Sequence, residues 1–300
     1  MTAFTSGWLA LREPFDVAAR DAAWPAFAAQ CGDLRRRATH GARPLAVVDL
    51  ACGSGANVRA LAPRIGGWQR WQLLDHDPAL LTEVPRAMAG WAREQGYRVQ
   101  AGSGPRDVLR VEAPQLRVDL VRCCVDLARM PDTMAFAQVD LVTASALLDL
   151  VSAPWLDMLL ARVRASGAAW WWGLSVDGRI DWDPADPDDA LVHRLFEQHQ
   201  RRDKGFGPAL GPDAVPYLRQ RQAVVGCTVL EARSDWVIEG ARAGTGASAM
   251  LEALVAGMAD AALAQQPAAA DAVRAWQARR MALVRHTRLV VGHLDVAGFA

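Results

Sequence analysis

The stretch "VVDLACGSGAN" places Asp49 four residues before Gly53 and six before Gly55, at the end of an apolar run and the start of a helix-like segment. A glycine turn opening a helix presents backbone N–H groups to a phosphate or nucleoside. A carboxylate beside that turn repels a pyrophosphate and attracts a ligand carrying an ammonium group. Two more acids close apolar runs: Asp75 in "WQLLDHD", twenty residues after Gly55, and Asp126 in "CCVDLARM". A fourth stretch, "HRLFEQHQRRDKGFGPALG", gathers His199, Arg201, Arg202, Asp203 and Lys204 just before Gly205, Gly207 and Gly211. A glycine-bearing loop can close over a ligand, and a cationic cluster can pair with a carboxylate or phosphate. His199 is the candidate general base for a hydroxyl or amine, and Arg201, Arg202 and Lys204 are the candidate substrate contacts. Arginines at a helix C-terminus also complement its dipole with no ligand at all. His193 lies six residues from His199, so the two do not share a helix face.

The glycine turn has two readings. In a dinucleotide-binding turn, G-x-G-x-x-G/A, a third small residue lets helix and strand pack closely. Here that position is Val58, and Asp49 stands where a pyrophosphate would approach. The turn instead resembles the first motif, D-x-x-x-G-x-G, of the class I, Rossmann-like methyltransferases that use S-adenosyl-L-methionine. The resemblance covers roughly residues 44–175 and the final strands. It implies cofactor contacts from Asp49, Ala51, Gly53, Gly55 and Asn57. "WQLLDHDPALL" resembles the second-strand motif, in which the acid, here Asp75, accepts both ribose hydroxyls and His76 flanks the ribose or adenine. "CCVDLARM" resembles the third-strand motif, with Asp126 on the adenine amino group and Leu127 packed on the ring. "VDLVTASALLDLV" resembles the fourth-strand motif, with Thr143, Ala144 and Ser145 nearest the methylsulfonium. Arg12 and Arg20 are candidates for the methionine carboxylate, because related enzymes use an N-terminal helix as a lid. The spacing from Asp75 to Asp126 is long, since residues 97–116 intervene.

A sulfonium is already an activated electrophile, so such a protein need only bind it, align a nucleophile and exclude water. No N/D-P-P-Y/F pattern and no Pro-Cys pair follow the fourth strand, which argues against nucleic-acid bases as acceptors. The expected function is therefore methyl transfer to oxygen or nitrogen of a small molecule, with an anionic acceptor matched to the cationic cluster. Alternatives are a catalytically inactive S-adenosylmethionine-binding module and an NAD-dependent oxidoreductase. "RRR" at 35–37 leaves RNA as a minor option.

These residues need a scaffold that aligns strand ends. "LAVVDL" reads as a strand buried on both faces, and "WQLLDHD", "VDLVRCCVD", "VDLVTASALL" and "AAWWWGLS" repeat the theme with helix-like segments between them. Such alternation predicts an α/β fold, a doubly wound, mostly parallel, seven-stranded sheet. Residues 1–43 form an N-terminal helical cap of two or three short helices, with Pro14 and Pro25 at helix starts. Residues 44–300 form the cofactor-binding domain. A substrate-side insertion runs over about 175–213, leaving its strand at Ser175. The 97–116 segment reads as an extra ribbon, and the C-terminal part as a strand near 225–231, helices near 246–263 and 268–284, and a last strand "TRLVVGHLDV". "WWW" at 170–172 reads as core, and His286 and His293 as structural.

Composition agrees. The 300 residues are 52% apolar, and 33 basic side chains balance 33 acidic ones, which gives no electrostatic case for a nucleic-acid or membrane binder. Lys204 is the one lysine. The five cysteines, at 31, 52, 123, 124 and 227, form no CxxC pair, so neither a disulfide framework nor a zinc site is expected. No signal peptide and no uninterrupted apolar run of roughly 18 residues is visible, and a cytoplasmic protein is expected.

Overall fold

The computed structural model describes residues 5–101, 108–129, 136–224, 228–242 and 246–299. Cys227 and the start of the strand expected near 225–231 lie outside them. The chain opens with α1 (Ser6–Ala23), capped by Thr5, whose hydroxyl accepts the Trp8 N–H at 3.2 Å. After one tight turn at Trp24–Ala26 comes α2 (Ala28–His40). The alternating part is β1 (Leu45–Leu50), α3 (Ala56–Ile65), β2 (Gly67–Asp75) and α4 (Pro78–Glu94). The 97–116 segment supplies β3 (Arg98–Ala101) and β4 (Leu109–Ala113), an antiparallel hairpin that leads into β5 (Leu116–Cys124). Then follow β6 (Leu141–Ser145), α5 (Ala153–Ser166), β7 (Ala169–Asp183), α6 (Asp189–Gln200) and α7 (Ala214–Val224). The chain ends through β8 (Leu230–Arg233), β9 (Trp236–Glu239), α8 (Ala247–Gln265), α9 (Ala270–Leu283) and β10 (Arg288–Gly298).

The sheet order is β3-β4-β5-β2-β1-β6-β7-β10-β8, with β9 also on β10. The five central strands are parallel, whereas β10 runs antiparallel to β7, β8 and β9. The sheet therefore has ten strands, not the expected seven. The additions are the β3–β4 hairpin, which extends the edge beyond β5, and β9, which pairs with the first half of an overlong β10. That length has a cause. β7 does not stop at Ser175 but runs on to Asp183, paired with β10 as far as Arg288. Only the part of the expected insertion beyond Asp183 leaves the sheet. At the N-terminus Pro14 lies inside one continuous helix rather than at a helix start.

Three apolar cores hold these layers. On one face Phe27, just before α2, Leu61 of α3 and Met88 of α4 pack against Trp71, Leu73 and Trp171. On the other face α5 and α7 cover Val48, Leu50, Trp170 and Trp172, the last two rings stacking at 5.8 Å. The tryptophan triplet thus fills both faces, as strand alternation requires. Around the extended β7 and β10, α1, α6, α8 and α9 form the third core, centred on Trp182, Trp276 and Ile238. Helix α8 is long and apolar enough to cross a membrane, at mean hydropathy 1.4, yet Met250, Leu251, Val255, Met258 and Ala259 bury one side of it in that core.

The connections set the functional edge. From β1 the chain winds outward through α3 and α4 to β2 and β5; from β6 it winds the other way through α5 to β7. The switch lies between the adjacent strands β1 and β6, and doubly wound sheets bind ligands at the carboxyl ends of strands at such a switch.

Candidate functional site

Strain marks that edge. Among the described residues Ala51, Ala146 and Leu174 hold positive φ angles of 51°, 52° and 54°, close behind the carboxyl ends of β1 and β6 and where β7 passes the same level. Non-glycine residues persist in this region only where the surroundings over-determine them, which is common at ligand sites. Behind Ala51, Gly53 and Gly55 take φ of 54° and 85° and turn the chain sharply into α3. A Cβ on Gly53 would lie 3.1 Å from Leu9 Cδ1, so α1 passes directly over the glycine turn.

Asp49 and Thr143 sit opposite each other in the β1–β6 register, and Asn57 joins them from the first turn of α3. Its amide donates to Asp49 Oδ1 at 2.6 Å and to Thr143 Oγ1 at 3.2 Å. The Asn57 carbonyl accepts Arg20 Nη1 from α1. Arg20 is only 3% exposed and lies among Asp16, Asp49 and Asp295, which hold its charge against the cost of burial. Asp295 is fixed in turn by the Trp171 indole at 2.9 Å and the Leu174 N–H at 2.8 Å. The guanidinium lies so close to β7 that a Cβ on Gly173 would come within 2.7 Å of Nη2. A side chain there would have to push the Asn57-bound guanidinium aside.

Two polar atoms in this cluster have no hydrogen-bond partner among the described residues: Arg20 Nε and Asp49 Oδ2. Burial pushes the Asp49 carboxyl up to about 7, against the pull of Asn57 and Arg20 and with the repulsion of Asp75. A buried donor on a cation and a buried acceptor on an anion, both anchored through one asparagine, fit a zwitterion. The ammonium of an α-amino acid would meet Asp49 and its carboxylate Arg20.

Asp75 stands at the end of β2, 5% exposed. Its oxygens accept the Gly53 N–H at 2.8 Å and the Asp77 N–H at 2.9 Å. Each carboxylate oxygen keeps a second lone pair, so the group can still accept two hydroxyls. His76 is exposed, its Nδ1 3.4 Å from Asp75. Asp126 is half exposed; it accepts the Ala128 N–H at 3.0 Å and lies 3.7 Å from Arg129. Leu127 is buried, and its carbonyl accepts the Trp155 indole at 2.8 Å. Ala144, in β6, is buried beside them in the second core.

The structure brings Arg20, Asp49, Gly53, Gly55, Asn57 and Asp75 into one hydrogen-bonded and packed group. The residues of the α6 end are held elsewhere. Arg201 binds Glu197 at 2.8 Å, Asp213 and the Leu210 carbonyl, so its work is to fasten the following loop. Arg202 donates to the Ala264 carbonyl at 3.0 Å, and Lys204 to the His199 carbonyl at 3.2 Å. Burial, Lys204 and Arg202 all lower the His199 pKa from its ordinary value. The loop wraps the turn after β6: the Leu210 N–H reaches the Val151 carbonyl at 2.9 Å, and Phe206 packs edge-on against Trp155. Arg12 is tied to Asp16 at 2.9 Å and lies over the Trp236 ring, so of the two candidate arginines only Arg20 reaches the glycine-turn cluster. Sequence reasoning passed over Asp16, Asp149, Gly173 and Asp295. An acid in an apolar run is a weak signal, and Asp295 in "VVGHLDV" and Asp149 in "LLDLV" are both such acids.

The chain matches no family model and no curated protein. Among solved structures it is similar to a cyclopropane-fatty-acyl-phospholipid synthase-like protein from Lactobacillus casei, at 12% identity and a TM-score of 0.48 over 99% of this chain and 94% of that one. It is similar to a SAM-dependent methyltransferase from Thiobacillus denitrificans in complex with S-adenosyl-L-homocysteine, at 14% identity and a TM-score of 0.39 over 91% of this chain and 90% of that one. It is also similar to an arsenic(III) S-adenosylmethionine methyltransferase from Chlamydomonas reinhardtii, at 13% identity and a TM-score of 0.39 over 85% of this chain. The chain spans 64% of that enzyme's length. At these identities, and with TM-scores below 0.5, the similarity assigns neither an activity nor an acceptor.

Proposed function

We propose that this protein is an S-adenosyl-L-methionine-dependent methyltransferase acting on oxygen or nitrogen of a small molecule. One observation carries the reading: the unpartnered Arg20 Nε and Asp49 Oδ2, joined through Asn57 beside a glycine turn. S-Adenosylmethionine ends in an α-amino acid zwitterion that suits this pair, and NAD has no such group. Asp75 would hold the ribose diol, with Ala51, Gly53, Gly55 and His76 around it. Asp126, Leu127 and Ala144 would line the adenine and sulfonium side. When bound, the cofactor supplies an electrophilic methyl group; the protein binds, orients and excludes water. The acceptor side would lie under α1 and the loop after α6, with Arg202 and Lys204 favouring an anionic acceptor and His199, its pKa lowered, able to take a proton.

The test is calorimetric titration with S-adenosylhomocysteine. Micromolar binding that Asp49→Asn and Arg20→Met each weaken about tenfold or more is expected, since one lost charge-assisted contact is worth ~1.5–3 kcal/mol. NAD should not bind. Folded wild-type protein that ignores S-adenosylhomocysteine sinks the reading. Among turned-over acceptors, an His199→Ala variant with unchanged kcat removes the histidine from the chemistry. A protein that binds the cofactor and methylates nothing in cell extract is the inactive binding module.

A further inference from the structure

Helices α5 and α7 enclose a cavity of about 430 Å³ at the edge of the sheet opposite the glycine turn. Its floor is the start of β7 and the end of β10, where Trp170 and Gly298 pair across the antiparallel register. One wall is a single face of α5. Asp157, Leu160, Ala161 and Arg164 recur there at the i, i+3, i+4, i+7 spacing of a helix. The facing wall is α7, with Arg221 and Gln222. The two helices are fastened at the Asp157 end, where the carboxylate accepts the Tyr217 hydroxyl at 2.9 Å and lies 2.7 Å from Arg221. Arg164 stands two helical turns further on, ~10 Å away along α5.

The walls carry polar groups that the fold does not use. Gln222 is only 8% exposed and Trp170 only 5%, and both line the cavity. Among the described residues neither the Gln222 amide nor the Trp170 indole N–H makes a hydrogen bond. Buried polar groups are almost always paired, so two orphans on one cavity wall point to a partner from outside the chain. The charges point the same way. Arg221 is offset by Asp157, whereas Arg164 has no ion pair among the described residues. Two guanidiniums against one carboxylate leave the cavity with a net positive charge. The rest of the lining is apolar, from Leu160, Trp170 and Phe299. The Trp170 ring is held by its stack on Trp172 at 5.8 Å, which makes it a firm surface for a flat ligand.

We infer that this cavity is a second ligand site and that it takes a planar aromatic monocarboxylate. The ring lies among Leu160, Trp170 and Phe299, and the carboxylate meets Arg164 with the Gln222 amide and the indole N–H as further donors. This occupant is not the methyl acceptor. Trp170 faces the core covered by α5 and α7, while Trp171 and Gly173 face the other side of the sheet, where Arg20 packs at Gly173. From Trp170 to Gly173 the strand also advances ~10 Å. The second site is thus separated from the glycine-turn cluster by the sheet itself, and its existence does not depend on the cofactor reading.

Calorimetry on the whole chain tests this with naphthoate as probe and naphthylmethanol, the same ring without the charge, as its control. Naphthoate is expected to bind with a Kd below ~1 mM, and naphthylmethanol about fivefold more weakly or worse. Arg164→Gln, at an exposed position, should weaken naphthoate about fivefold or more and leave naphthylmethanol alone, because one charge-assisted contact is lost. Ala161→Trp, also at an exposed position, should fill the cavity and abolish binding. Both variants should melt like wild type and keep their affinity for S-adenosylhomocysteine. Folded wild type that ignores naphthoate, equal affinity for the two probes, or naphthoate binding that either folded variant leaves unchanged overturns the assignment. Competition between naphthoate and S-adenosylhomocysteine overturns it too, by placing the probe in the cofactor site. Wild type that binds naphthoate as described but not S-adenosylhomocysteine upholds this site and sinks the cofactor reading alone. If Ala161→Trp does not fold, Arg164→Gln with the two probes decides the matter.

Discussion

At the scale of single residues the site turns on one buried carboxyl. Asp49 keeps a proton up to about 7, because burial outweighs the help of Asn57 and Arg20 and Asp75 opposes ionisation. A carboxyl whose pKa rises on folding stabilises the fold most at low pH, and that contribution is lost as pH climbs through the folded value. Ligand binding has the opposite sign, since an ammonium needs the carboxylate. The affinity for S-adenosylhomocysteine is therefore expected to rise by up to about tenfold per pH unit below 7 and to level off above it. Titrations between pH 5.5 and 8 check this, and protons should be released on binding at the acid end. Asp49→Asn should bind weakly with a flat profile. A wild-type affinity that does not change across this range would show that Asp49 is already ionised in the free protein and would remove its proton from the binding equilibrium.

At the scale of elements the decisive piece is α1. Leu9 lies over Gly53, Glu13 holds Arg59 through a two-point ion pair at 2.6 and 2.7 Å, and Arg20 reaches Asn57. These three contacts from one helix pin it across the glycine turn. Glu13→Ala leaves a guanidinium that is 4% exposed with only the Ser54 carbonyl at 2.7 Å and a weak contact to Met88 Sδ. A cost of about 1–3 kcal/mol follows. In hydrogen exchange the α1 amides of this variant should open faster than wild type, and saturating S-adenosylhomocysteine should slow them again. Unchanged α1 exchange would mean that Leu9 and Arg20 suffice to hold it. Much of this element was hard to read from sequence. Pro14 usually begins a helix because it lacks an N–H, and here tertiary contacts on both sides of it carry the helix through. The acid and the glycines were legible because a turn of that shape tolerates few residues. Arg20 was legible only as one of two arginines on a helix. Asp149 and Asp295 were not legible, because burial and pairing belong to the folded chain.

At the scale of the molecule the alternation of apolar runs and helices foretold the doubly wound sheet and its functional edge. In the far half the helices α6, α8 and α9 and the last strand were legible as well, but not that β7 and β10 run past the parallel sheet and gather them with β9 into a third core. β9 is four residues, too short for a period to show, and β7 past Ser175 carries polar side chains that read as loop. This added core matters to the site, since Trp236 of β9 holds Asp16 of α1 at 2.9 Å and His293 of β10 packs against that ring. Its weakest tolerance is at Gly240, just past β9, where a Cβ would sit 1.8 Å from the Val284 carbonyl oxygen and 3.0 Å from Leu251. The Gly240 N–H bonds the Thr287 carbonyl at 2.9 Å and the Thr287 N–H bonds the Val284 carbonyl at 3.3 Å, so neither backbone can yield cheaply. Gly240→Ala is expected to cost about 3 kcal/mol or more, the range of a severe core clash, and to lower the melting temperature by several degrees. Gly257, inside α8, has nothing within 4 Å of a built Cβ, so Gly257→Ala should raise stability by about 0.5–1 kcal/mol. Thermal melts of both variants, each with and without S-adenosylhomocysteine, separate the third core from the ligand site. If α1 couples them, Gly240→Ala also weakens ligand binding, whereas Gly257→Ala leaves it alone. A Gly240→Ala protein that melts like wild type would mean that β9 and the turn before β10 do not meet as closely as the fold requires.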